Sequence, residues 1–162
     1  RTFAISYPLT QKIFIAQADF VRNESKAFRA DHNIRSLVGV GTHEIGHILM
    51  RRRFGLWTIW RVPTWLEEGY CELLAGESSF PRDHGDRLLA EGKRENSSSF
   101  EYFAYRRMVE YLTKQKGLSI VELVGNPPNE RKARDETRQW IQTRIVEQPD
   151  EPLAVRRQRA PS

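Results

Sequence analysis

From about Asn33 to Gly55 the chain reads as one long helix, and that helix constrains everything built around it. Leu37, Val38, Ile45, Ile48 and Leu49 recur at helical spacing and form its apolar set. Arg51, Arg52 and Arg53 fall in its last turn, where the helix dipole favours cations, and Gly55 supplies a stop. Gly39, Gly41 and Gly46 each weaken helix propensity by up to about 1 kcal/mol. A helix that tolerates three glycines is expected to have another element packed closely against it.

The rest of the chain is punctuated around this element. Thr2 to Tyr7 and Lys12 to Ala16 are short β-prone runs, with Pro8 and Thr10 as a turn between them. Residues 17–33 are polar and mixed and read as loop with some helix. Residues 54–64 are an aromatic-rich connection. Thr64 with Glu67 matches a capping box, opening a helix from Trp65 to Ala75 that Gly76 ends. Ser98 with Glu101 repeats the device before a helix from about Ser99 to Lys116, closed by Gly117. Phe100, Ala104, Met108, Tyr111 and Leu112 line its apolar face. Ser119 with Glu122 caps a short helix ending at Gly125. Ala133, Trp140, Ile141 and Ile145 define a last amphipathic helix after Pro127-Pro128. A little β followed mostly by helices is an α+β domain, expected over residues 1–147. Residues 148–162, with three prolines and Arg156, Arg157 and Arg159, read as a disordered basic tail.

Composition narrows the function classes. The 162 residues are 39% hydrophobic and 29% charged, the balance of a globular domain, and no run is long and apolar enough to span a membrane. A single cysteine, Cys71, excludes a disulfide scaffold and any zinc module built on two cysteines. Arg156, Arg157 and Arg159 in the tail supply three of the positive charges behind the net +5, and the remaining surplus is small, so nucleic-acid binding is not the expected function. The chain begins at Arg1 rather than Met and reads as a processed product or a domain of a longer protein, with its compartment open.

The chemistry is concentrated in His43-Glu44-Ile45-Gly46-His47. Two histidines four residues apart on a helix share one face and can reach one cation together. Glu44 sits beside His43 around the helix, near the metal without binding it. Zinc held by histidine and carboxylate keeps an open position for water, lowers its pKa to about 7, and leaves a carboxylate to take the proton. That is the mechanical content of an H-E-x-x-H pattern.

A third protein ligand is needed. Glu67, Glu68, Cys71, Glu72 and His84 are the candidates downstream. If Thr64 is the N-cap, Glu67 turns back to cap the helix, and Glu68, one residue further round, is free to face the first helix. Glu72 lies one turn beyond Glu68 on the same face. Metal-bound histidine usually donates its other N–H to a carboxylate, so Glu68 is assigned to the metal and Glu72 to an imidazole, that of His43.

His43-Glu-Ile-Gly-His47 followed by Glu68 within Pro63-Thr-Trp-Leu-Glu-Glu-Gly-Tyr-Cys-Glu72 resembles the gluzincin metallopeptidases, the group of thermolysin and the zinc aminopeptidases. It is most similar to small bacterial gluzincin-like peptidase domains, with Cys71 in place of a usual alanine. The two motifs cover residues 38–76. The resemblance implies a zincin-like fold and a zinc ion on His43, His47 and Glu68. It also implies Glu44 as general base and a sheet-edge strand that aligns the substrate backbone. Residues 12–16 are the strand expected to border the cleft. A tyrosine or histidine from a later helix often stabilises the oxyanion in such enzymes. Tyr105 is preferred for that role, with Tyr102 and His84 as alternatives.

Other singled-out residues have plainer readings. His84 lies among Arg82, Asp83, Gly85 and Asp86 and is expected in an exposed loop. Cys71 is expected in the core. Trp57, Trp60 and Trp65, with Phe54, are expected to pack beneath the second helix. The function expected is a zinc-dependent peptidase acting on a peptide or protein. The lack of a Gly-x-Met-Glu-Asn-like stretch tilts it toward an endopeptidase. The alternative is a non-catalytic binding module on the same fold.

Overall fold

The computed structural model describes residues 4–7, 12–26 and 34–147. The turn at Pro8 and Thr10 and the tail at 148–162 lie outside them. Within them the chain is α+β: short antiparallel strands come first and helices make up most of the rest.

Strand β1 (Ala4–Ser6) pairs with β2 (Ile13–Ile15), Ile5 opposite Phe14. These are the two strands expected from the sequence. The strand that packs along the long helix is β1, however, rather than the 12–16 strand. A second sheet of order β3-β4-β5 joins Ala18–Asp19, Glu24–Lys26 and Ile34–Ser36. It occupies part of the stretch that reads as loop, because strands of two or three residues are too short to show alternation. Its first turn is local chemistry. Asp19 Oδ1 accepts hydrogen bonds from the amides of Val21 and Arg22, at 3.0 Å each. Asn23 takes the positive φ of 55°, which asparagine tolerates better than most residues.

Helix α1 runs Leu37–Phe54, starting a few residues later than expected. Two residues satisfy its first amides, and a third accepts from the N-cap. Ser36 Oγ accepts from Gly39 N at 2.8 Å, Asn23 O from Leu37 N at 3.0 Å, and Asn23 Oδ1 from Val38 N at 3.2 Å. The Glu77 carboxylate receives Ser36 N at 3.0 Å. The helix then turns an unexpected face inward. Val40, His43, Glu44, His47 and Met50 are buried, whereas Val38, Ile45 and Leu49, taken as part of its apolar set, are exposed.

Short α2 (Leu56–Ile59) follows, then α3 (Thr64–Ala75), ended by Gly76 in the left-handed conformation at φ 73°. α3 packs on α1 on one side and on α5 (Ser98–Glu110) on the other. The close approach explains the glycines in part. A Cβ on Gly46 would come within 3.0 Å of Cys71 Sγ, and one on Gly39 would collide with the Glu77 carboxylate. Gly41 faces open space.

Two of the three expected capping boxes do not form. Pro63 occupies the N-cap of α3, so Thr64 is already helical and makes no cap hydrogen bond. At α5 the cap is Ser97, whose hydroxyl accepts from Phe100 N at 3.1 Å, and Glu101 reaches Arg134 instead. The Ser119–Glu122 box does form, at the head of α6 (Ile120–Gly125).

Helix α4 (Arg82–Ala90) replaces the loop expected around His84. α5 passes into a π-helical turn at Tyr111–Gln115, and α7 spans Glu130–Glu147. The larger apolar core gathers Met50, Trp65, Leu66, Met108 and Leu112 between α1, α3 and α5. A smaller one joins Phe80, Phe100, Phe103 and Ile141. Trp65 packs as expected, but Trp57 and Trp60 are 77% and 81% exposed and do not pack beneath α3. α2 holds only Ile59 against the core, and both indoles fall on its other side.

Candidate metal centre

α1 delivers His43 and His47 one turn apart on its buried side, and α3 brings Glu68 across to them. The two Nε2 atoms are 3.2 Å apart. Glu68 Oε2 lies 3.2 Å from His43 Nε2 and 3.6 Å from His47 Nε2. A tetrahedral cation with bonds of 2.0–2.1 Å separates its ligand atoms by about 3.3 Å. The triangle therefore has the dimensions of a group that could hold a metal ion, with two imidazoles and one carboxylate as donors.

Each imidazole is backed by a second carboxylate. His47 Nδ1 is 2.8 Å from Glu67 Oε1. His43 Nδ1 is 3.1 Å from Glu72 Oε1, within ion-pair reach but off the hydrogen-bond line. These contacts turn both Nε2 atoms toward Glu68, the arrangement that orients metal-bound histidine. Glu72 is the residue expected for His43. Glu67 is the one the sequence reading missed, having been assigned to a cap that Pro63 displaces. The signal is in the sequence: two histidines sharing one cation would ask for two outer carboxylates, and Glu67 stands beside Glu68 near the start of α3.

Glu72 is only 1% exposed, so its charge needs a partner. Arg35 on β5 provides it, with Nη1 at 2.7 Å and Nη2 at 3.4 Å. The second sheet thus reaches the site through one arginine, and Arg35 Nε extends toward Glu77 at 3.6 Å.

The electrostatics favour a cation. Burial lowers the His47 pKa, but hydrogen bonds to Cys71, Glu67 and Glu68 outweigh it and hold the ring at about 12. Burial likewise opposes His43, and Glu68 and Glu72 raise it on balance. Burial pushes Glu68 up, and the two imidazoles draw it down to about 2. Carboxylates that hold protons on two buried rings offer the same stabilisation to a divalent ion in their place.

Glu44 lies on α1 next to His43, 8% exposed, and its carboxylate has no hydrogen bond or ion pair among the described residues. Burial raises the Cys71 thiol, which sits beneath Gly46 and reaches His47. His84 is remote: its Nε2 is 3.5 Å from Glu95 and its ring stacks on Phe80. The two tyrosines face different charges. Tyr105 is raised by burial and by Glu130 and Glu101, and its ring lies under Arg134 at 5.8 Å. Tyr102 is raised by burial and then by Glu68 and Glu72.

Comparisons with protein-family models, with curated proteins and with solved structures find no match to this chain.

Proposed function

We propose that the chain is a zinc-dependent peptidase with a zincin-like fold of the gluzincin type. The observation that carries this reading is the His43–His47–Glu68 triangle, with sides of 3.2, 3.2 and 3.6 Å, backed by Glu67 and Glu72. His43, His47 and Glu68 would hold zinc, which supplies a Lewis acid and an acidified water. Glu44, on the same helix and free of other partners among the described residues, accepts the water proton and returns it to the leaving amine. Tyr102 is assigned here to donate to the developing oxyanion, since Glu68 and Glu72 act on its hydroxyl whereas Glu130 and Glu101 act on that of Tyr105. The β1–β2 sheet offers a strand edge for an extended peptide, and β1 packs along α1.

The test pairs metal analysis with turnover. The purified chain should carry one zinc, cleave a peptide library, and lose that cleavage to phenanthroline. Glu44→Gln should keep the zinc and lose hydrolysis by at least about a hundredfold. A chain that binds zinc and cleaves nothing is a binding module, and one that binds no zinc refutes the reading outright. Tyr102→Phe should lower kcat with zinc content unchanged, and Tyr105→Phe should not.

A further inference from the structure

We infer that the solvent face of α1 and α2 is a docking surface for an anionic lipid bilayer. α1 has an inverted exterior. At about 100° per residue, Ile45 lies about 160° around the helix from both His43 and His47. Ile45 and Leu49 are exposed there, and in the segment that follows Leu56 and Trp57 on α2 and Trp60 at its C-cap are exposed as well. The two indoles meet edge to face, with ring centroids 6.2 Å apart. They are almost wholly in solvent, so burial in the fold does not explain them.

The charges carried by this segment have one sign. From Ile45 to Leu66 the sequence has no Asp or Glu and four arginines. Arg51 turns inward toward Glu67 at 3.9 Å. Arg52, Arg53 and Arg61 are exposed and take no carboxylate among the described residues. A segment that exposes aliphatic side chains, two tryptophans and arginines unpaired among the described residues is complementary to the headgroup region of an anionic bilayer. Indole rings settle at that depth, aliphatic side chains enter the acyl boundary, and arginines meet lipid phosphate. A single-stranded nucleic acid would use stacked rings in a charged groove, whereas aliphatic residues on an exposed helix face suit acyl chains. No described helix is long and apolar enough to cross a membrane, so the contact is peripheral. Docking this way turns the metal cluster away from the bilayer. The inference stands apart from the peptidase reading, because the two faces share no residue.

The test is co-sedimentation with phosphatidylcholine vesicles with and without phosphatidylglycerol, at low and high salt. The full chain should bind the anionic vesicles, release in salt, and shift its tryptophan emission to the blue. Arg52→Gln, Arg53→Gln and Arg61→Gln together should weaken binding about a hundredfold, since one arginine near an anionic surface is worth about fivefold. Trp57→Ala with Trp60→Ala should weaken it on the order of tenfold and abolish the blue shift. Circular dichroism should show both variants folded. The inference is overturned by any of four results. These are no binding to anionic vesicles, equal binding to neutral ones, indifference to both sets of substitutions, or use of the same tryptophans for self-association or oligonucleotide binding without vesicle binding.

Discussion

Glu67 Oε1 sits 2.8 Å from His47 Nδ1, across the gap between α3 and α1. With Glu72 beside His43, it gives each of the two histidines its own carboxylate. The adjacent pair Glu67-Glu68 therefore divides its labour: one residue faces an imidazole from behind and the other faces both Nε2 atoms, where the proposed cation would sit.

Removing Glu67 should weaken metal binding without unfolding the chain. Glu67→Gln is expected to lower zinc affinity about 10–100-fold, the usual effect of losing such a partner. A competition titration against a chromophoric chelator measures it. Glu72→Ala should do more, because it also removes a buried carboxylate that takes both terminal nitrogens of the buried Arg35. It is expected to cost about 3 kcal/mol of stability in urea denaturation as well.

Zinc should act as a clamp between α1 and α3. At a free concentration about 100 times its dissociation constant, a ligand adds about 2.7 kcal/mol to folding. For a chain of this size that is a rise in Tm of about 5–10 °C. Differential scanning calorimetry with zinc and with a chelator should show the difference, and Glu68→Gln should reduce it sharply.

Glycine substitutions should separate close packing from helix propensity. A Cβ on Gly69 would lie 2.5 Å from the Tyr105 carbonyl oxygen, which belongs to the α5 backbone and cannot step aside. Gly69→Ala should destabilise by about 1–3 kcal/mol. Gly41 has open space, so Gly41→Ala should stabilise by up to about 1 kcal/mol. Urea midpoints at constant m-value check both signs.

The acid limb of stability should report Glu110. Burial raises its pKa, but Arg107, Arg82 and Lys114 outweigh burial and hold it below 4.5. A group with a depressed folded pKa stabilises above its unfolded value and loses that contribution as pH falls through the folded one. The parent should therefore weaken below about pH 4.5 more steeply than Glu110→Gln. Asp86 carries the opposite sign, because burial raises it above 3.8 despite Arg107. The readout is thus the difference between parent and variant in urea denaturation from pH 3 to 6.

Much of this molecule is written in local sequence. The first strand pair, the helix stop at Gly76, the Ser119–Glu122 cap and the spacing of His43 and His47 all follow from residues a few positions apart. Backbone propensity and side-chain periodicity act at that range. The burial of Phe100, Ala104, Met108 and Leu112 was legible for the same reason. What the tertiary structure decided is which face of a helix turns inward and which distant group meets a side chain. α1 buries histidines and a glutamate and leaves Ile45 and Leu49 outside, because α3 docks against its glycine-bearing side. Glu67 meets His47 rather than its own helix end, and Arg35 arrives at Glu72 from a strand 37 residues earlier. Those pairings depend on the docking of whole elements, and no period within a single helix encodes it.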